Sequence, residues 1–420
     1  MCEWTTARLG PLCEKIGSGA TPRGGKESYK DAGISLIRSQ NVYNNRFETA
    51  GLAFIDDEQA EGLSNVEVEP CDVLLNITGD SVARACQVPD VVLPARVNQH
   101  VAIIRPDPDR LDPSFLRYWF VNPRTQAHML TLASAGATRK ALTKRMIEDF
   151  EIPLPEIQTQ RSIAHILGTL DDKIELNRRM NRTLGAIARA IFKSWFVDFD
   201  PVHAKAEGRE PVGMDSEPAA LFPDSFQDSP LGKIPKGWEV LDLGKCAEIL
   251  DKKRIPLNSR ERTLRQGPFP YYGAAGVMDH VDDYLFDGVH LLVGEDGSVA
   301  TGSGRPVLQY VWGRFWVNNH AHVLVGRDLV STEFLFLALD RTHILPYVTG
   351  AVQPKLNQGN LKRIRLVVPE ETIRARFDSA IAGCFETRRL LHDQNAQLGQ
   401  TRDALLPVLL RGDLTPEVAQ

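Results

Sequence analysis

The chain has 420 residues, 43% hydrophobic and 25% charged, too long for one ordinary core and too apolar for a disordered or fibrous polymer. Its formal charge is −5, from 49 Lys and Arg against 54 Asp and Glu, so bulk charge announces no polyanionic ligand and only local patches can. Six cysteines (Cys2, Cys13, Cys71, Cys86, Cys246 and Cys384) form no CxxC pair, which argues against a disulfide scaffold or structural zinc and for a reducing compartment. The opening MCEWTTARLGPLCEKIG lacks an apolar signal core, and no run of about 18 apolar residues follows. The expectation is a soluble, cytoplasmic protein.

Near the start, GSGATPRGGK (Gly17 to Lys26) places glycines before a lysine. Against the phosphate-loop pattern it has Ala20 where the first Gly belongs and Glu27 where Ser or Thr must meet magnesium. No buried strand is read before it, so it is taken as a ligand-facing loop and not a nucleotide site. Short β-rich runs between turn residues follow, at Asp72 to Ile77 and Val101 to Pro106, with a helical stretch at Ser114 to Phe120.

From Ile157 to Asp200 there is no proline, and apolar residues recur at spacings of three and four. Ile163, Leu167, Leu170, Ile174, Leu184, Ala188, Ile191 and Trp195 form the stripe, with Asn177 and Asn181 completing the heptad. The stretch from Pro201 to Pro235 turns to Pro, Ala, Asp, Glu and Ser and reads as a surface linker with little to bury. Beyond it come β-rich runs at Val289 to Gly294 and Tyr310 to Val317, and a helical stretch at Glu333 to Leu339. A second stripe closes the chain: Phe377, Ile381, Cys384, Leu391, Asn395, Leu398, Leu405 and Leu409, interrupted by Arg388 and Arg402 and disturbed at Pro407. A helix of 40 residues is roughly 60 Å long at 1.5 Å per residue and needs a partner along its length.

That partner is its own repeat. Trp4, Leu9 and Gly10 match Trp238, Leu243 and Gly244; VNQHV (Val97 to Val101) matches VNNHA (Val317 to Ala321); Glu156 matches Glu370, and Leu184-Gly185 matches Leu398-Gly399. The predicted architecture is α+β: a mixed domain over 1–156, a long helix over 157–200, a linker over 201–236, a second mixed domain over 237–370 and a long helix over 371–412. An antiparallel, pseudo-twofold arrangement of the two helices, packed as a coiled coil, would let helix length set the spacing of a two-part ligand, with Asn177 and Asn181 either fixing the register or facing solvent or a partner subunit.

Catalytic chemistry is hard to find. His320 and His322 share one face of a strand in metal-ligand geometry, yet His100 stands at the equivalent of His320 without a second histidine. The loop Gly294 to Gly297 (GEDG) carries two carboxylates without a matching base. FVDFDP (Phe196 to Pro201) lacks the Asn-Pro-Pro-aromatic order of amino-methyl transfer. The expectation is no catalytic residue and no metal.

Basic and amide residues are more telling. Arg139, Lys140, Lys144 and Arg145 follow the loop Ala135 to Thr138, and Gln353, Lys355, Lys362, Arg363 and Arg365 recur at the matching place. Lys252, Lys253 and Arg254, then Arg260, Arg262 and Arg265, make the second domain locally basic. Such side chains contact phosphates and read base edges. The candidate DNA contacts are Arg23, Arg38, Gln40, Asn41, Arg84, Gln99, Arg139 and Lys140 in the first domain. In the second they are Lys252, Lys253, Arg254, Tyr272, Asn319, Gln353 and Lys355.

With these features assembled, the chain resembles the DNA-specificity subunit of type I restriction–modification enzymes. The stretch Leu154 to Val202 (LPEIQTQRSIAHILGTLDDKIELNRRMNRTLGAIARAIFKSWFVDFDPV) resembles that family's central region, and Gly17 to Val42 and Leu291 to Val299 resemble parts of its target-recognition domains. The resemblance implies two target-recognition domains separated by long antiparallel helices, each reading one half of a split double-stranded DNA site. It implies a non-catalytic subunit that docks two methylation subunits and, through them, motor and endonuclease subunits. S-adenosylmethionine, ATP and magnesium would then belong to the partners. The competing readings are a nuclease or methyltransferase with unrecognised motifs, and a coiled-coil scaffold.

Overall fold

The computed structural model describes residues 4–134, 140–328, 330–350 and 352–416. The chain divides into two compact units, one of residues 1–177 with 393–420 and the other of residues 178–392.

The first unit holds two four-stranded sheets. In one, Cys13–Ser18, Val101–Pro106, Val73–Asn76 and Ala85–Gln87 run antiparallel in that order. In the other, Ile34–Ile37 pairs in parallel with Ala95–Val97, and Ala53–Ile55 and Glu67–Val68 flank them. Val73 to Leu75 and Val101 to Ile104 are buried on both faces, because one side meets the second sheet and the other meets the helix Pro113–Val121. Asp112 caps that helix through the Phe115 amide, at 2.9 Å, and Pro113 fills its first turn.

The second unit repeats this plan. Ala247–Ile249, Ala321–Gly326, His290–Gly294 and Leu308–Val311 form the antiparallel sheet, and Gln266–Tyr272 pairs in parallel with Arg314–Val317 in the other. The run from Tyr310 to Val317, which reads as one strand, is two strands in different sheets. It breaks at Gly313, whose φ of 74° suits glycine. Matching closures recur: Thr6–Arg8 pairs with Glu151–Pro153, and Glu239–Asp242 pairs with Arg365–Val368. The Leu9 amide donates to the Phe150 carbonyl, and the Leu243 amide to that of Ile364.

The long helices are Ile157–Phe196 and Glu371–Arg411. The second passes through Pro407 and continues for one more turn, and Leu406, Leu409 and Leu410 beyond and beside the proline are buried in the first unit's core. Within that unit the two segments are antiparallel, since Asn177 meets Gln394 and Asn395 while Asp171 meets Arg402. Ile163, Leu167 and Ile174 are buried there, with Leu170, Leu398 and Leu405 half-buried. In the second unit Trp195, Phe377, Ile381 and Leu391 are buried and Leu184 and Ile191 half-buried. Asn177 is fully buried, and its Nδ2 donates to Gln394 Oε1 and Asn395 Oδ1 at 2.7 and 3.0 Å. It faces the seam and not solvent.

The two arginines that interrupt the second stripe are accommodated differently. Arg402 donates to Asp171 at 2.7 Å. Arg388 lies over the Phe385 ring, opposite Gly185, where a Cβ would come within 3.5 Å of the guanidinium.

The stretch expected to be a linker with little to bury is folded. It contains helices Asp200–Ala206 and Ser216–Leu221 and a hairpin of Phe226–Ser229 with Gly232–Pro235. Val202, Phe222 and Ile234 enter the second unit's core, and Lys205 Nζ donates to the Phe222 carbonyl at 2.6 Å. Its polar composition hid three anchoring apolar residues.

Candidate nucleic-acid interface

In the first unit, the turn Asn98 to His100 is fixed from below. The Asn98 amide donates to the Ile37 carbonyl, and Asn98 Oδ1 accepts from the His100 amide at 3.1 Å. The His100 ring Nδ1 lies 2.6 Å from Thr78 Oγ1. The second unit repeats the turn: the Asn318 amide donates to the Tyr272 carbonyl, Asn318 Oδ1 accepts from the His320 amide, and the His320 ring bonds Asp296. The repeated VN(Q/N)H motif is therefore a structural turn that presents Gln99 and Asn319, both exposed.

Around the first turn lies a cavity of about 450 Å³, bordered by Gln40, Tyr43, Asp80, Arg84 and His100. Arg84 and Arg46 both lie over the Tyr43 ring, at 4.8 and 4.9 Å, which holds two cations beside the cavity. Lys140 is exposed, and its carbonyl accepts from the Gly79 amide at 3.1 Å, so it flanks the same cavity. Arg23 is exposed on the loop after Cys13–Ser18. The strand before that loop is buried only at Ile16, and a four-residue 3-10 helix (Gly25–Ser28) comes after it, so the phosphate-loop geometry is absent.

Other candidates are committed elsewhere. Asn41 is fully buried; its side chain accepts from the Arg38 amide and donates to the Glu48 carbonyl, so it builds a turn and reaches no ligand. Arg38 is half-buried, donating to the Gly51 carbonyl at 2.6 Å beneath the Tyr29 ring. Gln40 shares that carbonyl at 3.0 Å but stays exposed. Arg139 lies outside the described residues.

In the second unit Lys252, Lys253, Gln353 and Lys355 are exposed. Arg254 is not available: it donates to Glu295 Oε2 at 2.9 Å and to the Ala321 carbonyl at 2.7 Å. Tyr272 is half-buried, edge-on to Phe315, and burial pushes its hydroxyl pKa up. Arg262 and Arg265 are likewise used, against Asp279 and Asp282. A run of like charges along the chain does not reveal which members face an acidic neighbour in space.

His320 and His322 do not converge on one ion. His322 is fully buried, with Nδ1 2.6 Å from Asp251 Oδ2 and Nε2 2.7 Å from the Leu356 carbonyl. Asp251, Glu295 and His322 have metal-ligating atoms close together, but Arg254 already pairs with both carboxylates and Lys355 with Glu295. That donor set suits an internal ion network and not a cation site. The GEDG carboxylates are absorbed in the same way, Glu295 by this network and Asp296 by His320. Periodicity offered no signal for the network, because Asp251 and His322 are 71 residues apart along the chain.

Burial pushes the Asp251 carboxyl pKa up, but its hydrogen bond and charge contact with His322, the Val323 amide and Arg254 together outweigh this and hold it below the usual value. Stability from a depressed carboxylate is complete above its unfolded pKa near 4 and is lost as pH falls through the folded value. Asp251→Asn should therefore lower the second unit's urea midpoint at pH 7, and the gap to the unsubstituted protein should narrow as pH falls below the unfolded carboxylate value near 4. A gap that stays constant with pH would refute this.

These features define a tandem pair of α+β units joined in sequence by two long helices, each presenting an exposed amide side chain on a motif-built turn and exposed basic side chains on other segments. Residues 1–185 and 235–386 match the family model for the type I restriction modification DNA specificity domain. The chain belongs to that family: it is a specificity subunit, the non-catalytic DNA-recognition component of a type I restriction–modification system. It is similar to the HindI specificity subunit of Haemophilus influenzae, at 24% identity over 477 residues covering 99% of this chain and 100% of that one. The MjaIX specificity subunit of Methanocaldococcus jannaschii is 28% identical over 316 residues, 71% of this chain and 69% of its own. The crystal structure of a type I S subunit from M. genitalium shares the fold, with a TM-score of 0.56 at 16% identity and coverage of 98% and 97%. Among the described residues, no helix is long and apolar enough to cross a membrane.

Proposed function

We propose that each unit reads one half of a bipartite double-stranded DNA site. The observation that carries this reading is the recurrence of one turn, Asn98 to His100 and Asn318 to His320, at the same place in two units of the same topology. In the first unit the proposed contacts are Arg23, Gln40, Arg84, Gln99 and Lys140; in the second they are Lys252, Lys253, Asn319 and Gln353, Lys355 being held by Glu295. Exchanging residues 1–156 for the matching segment of another family member should change one half of the recognised sequence and leave the other intact. Sequencing the sites methylated by a complex carrying the exchange is the measurement, and two unchanged halves would sink the assignment.

The partners in this reading are two methylation subunits and, through them, motor and endonuclease subunits. S-adenosylmethionine, ATP and magnesium bind to those partners and not to this chain, and the assembly works in the cytoplasm. Support for docking comes from the first long helix. Within the second unit, Met180, Thr183, Ile187 and Ala190 recur at spacings of three and four and are all exposed. Met180 and Ile187 keep 40% and 43% of their surface, an apolar edge suited to a partner helix.

A further inference from the structure

Gln99 is exposed, yet both ends of its amide are held. Thr21 Oγ1 donates to Gln99 Oε1 at 2.5 Å, and Gln99 Nε2 donates to His100 Nε2 at 3.0 Å. With Nε2 of His100 accepting, its Nδ1 carries the hydrogen and donates to Thr78 Oγ1 at 2.6 Å. Beneath this chain the backbone is pinned as well. The His100 amide donates to Asn98 Oδ1, the Ile77 amide to the His100 carbonyl, and the Val101 amide to the Asn98 carbonyl.

A surface glutamine ordinarily samples many rotamers and loses that freedom on binding. Here the rotamer is chosen beforehand by Thr21 and His100. The donor and acceptor inventory of the amide is two N–H groups and two lone pairs on oxygen. One N–H is used by His100 and one lone pair by Thr21. One N–H and one lone pair remain.

We infer that Gln99 reads an adenine in the major groove of the half-site bound by the first unit, with His100 as its positioning residue. This rests on the reading that the first unit binds one half-site. Adenine shows an acceptor at N7 beside a donor at N6, and a primary amide matches both at once. Guanine shows two acceptors there and cytosine a single donor group, so neither satisfies both remaining groups of Gln99. Thr78 and Thr21 anchor the relay at its two ends. Lys140 and Arg84, close by, suit the phosphate backbone that must lie beside any base edge.

The test uses the full chain reconstituted with its methylation subunits on a library of random duplexes, with methylated sites sequenced. Gln99→Ala should relax a single A·T position in one half-site, with roughly ten- to hundred-fold loss of discrimination there. Gln99→Glu should shift the same position towards cytosine, since a carboxylate accepts from N4. A new preference of that kind cannot arise from a folding defect. His100→Ala should relax that same position and no other, which a general loss of stability would not do. Three outcomes would overturn the inference: unchanged preferences in Gln99→Ala, a relaxed position that was not adenine, or equal weakening on every sequence. Exchange of the first unit tests the half-site reading separately. An unchanged Gln99→Ala profile beside a successful exchange therefore defeats the adenine assignment alone.

Discussion

Phe377→Ala should cost about 3–5 kcal/mol of the second unit's stability, the range for emptying a large aromatic site in a packed core. Phe377 has no exposed surface. Its ring meets Phe196 at 4.8 Å, Phe192 and Trp195 at 5.7 Å each, and Phe334 at 6.0 Å. Around these, Trp238 packs on Phe196 and Phe222 on Trp195. Three elements of the unit thus close on one ring: both long-helix segments and the helix Thr332–Leu339. Alanine leaves a void that rigid neighbouring rings cannot fill, whereas leucine refills part of it, so Phe377→Leu should cost less than half as much. Urea unfolding followed by tryptophan fluorescence reports on the site through Trp195 and Trp238. A loss below about 1 kcal/mol for the alanine variant would mean that the cluster does not organise the unit.

The same cluster shows how far the sequence could be read. Trp195 and Phe377 stand on the heptad stripe and are legible from spacing alone, as are Ile163, Leu167 and Ile381. Phe192 and Phe196 are off that stripe and still buried, because the sheet-and-helix layer adds a second covered face to a helix that pattern treats as having one. Phe222 was hidden in a polar stretch for a related reason: one aromatic residue is enough to anchor a segment but too little to make a period. At the candidate interface the repeat marks a turn that both units build alike, since Val97 to Val101 and Val317 to Ala321 keep their spacing. Which residues on that turn are free is a matter of contacts distant in sequence. Asn41 and Arg254 resemble Gln40 and Lys253 as residue types; the Arg38 amide and Glu48 carbonyl around the first, and the Glu295 carboxylate and Ala321 carbonyl around the second, tell them apart.

Arg402 poses the same problem inside the helix pair, where a charge on an apolar stripe reads as a defect. In the structure Asp171 gathers three partners. Arg402 Nη1 donates to Oδ1 at 2.7 Å, the Tyr118 hydroxyl donates to Oδ2 at 2.7 Å, and Arg117 lies 3.5 Å from Oδ2. Tyr118 is fully buried, and desolvation pushes its hydroxyl pKa well up, so it stays a donor. Removing the carboxylate strands a buried hydroxyl and a guanidinium with only 12% of its side chain exposed. Breaking a fully buried pair costs about 3–5 kcal/mol; the partial exposure here and the second partner of Arg402, Asp403, bring the expected cost of Asp171→Ala to about 2–4 kcal/mol. Arg402→Met differs, because Arg117 and Tyr118 still satisfy Asp171 and the methionine keeps the apolar stem in the seam. It should cost no more than about 1 kcal/mol. The order of the two variants in urea unfolding of the first unit is the measurement. If Arg402→Met were the more damaging, the carboxylate would not be the hub, and the arginine would be holding the helices together through its own packing.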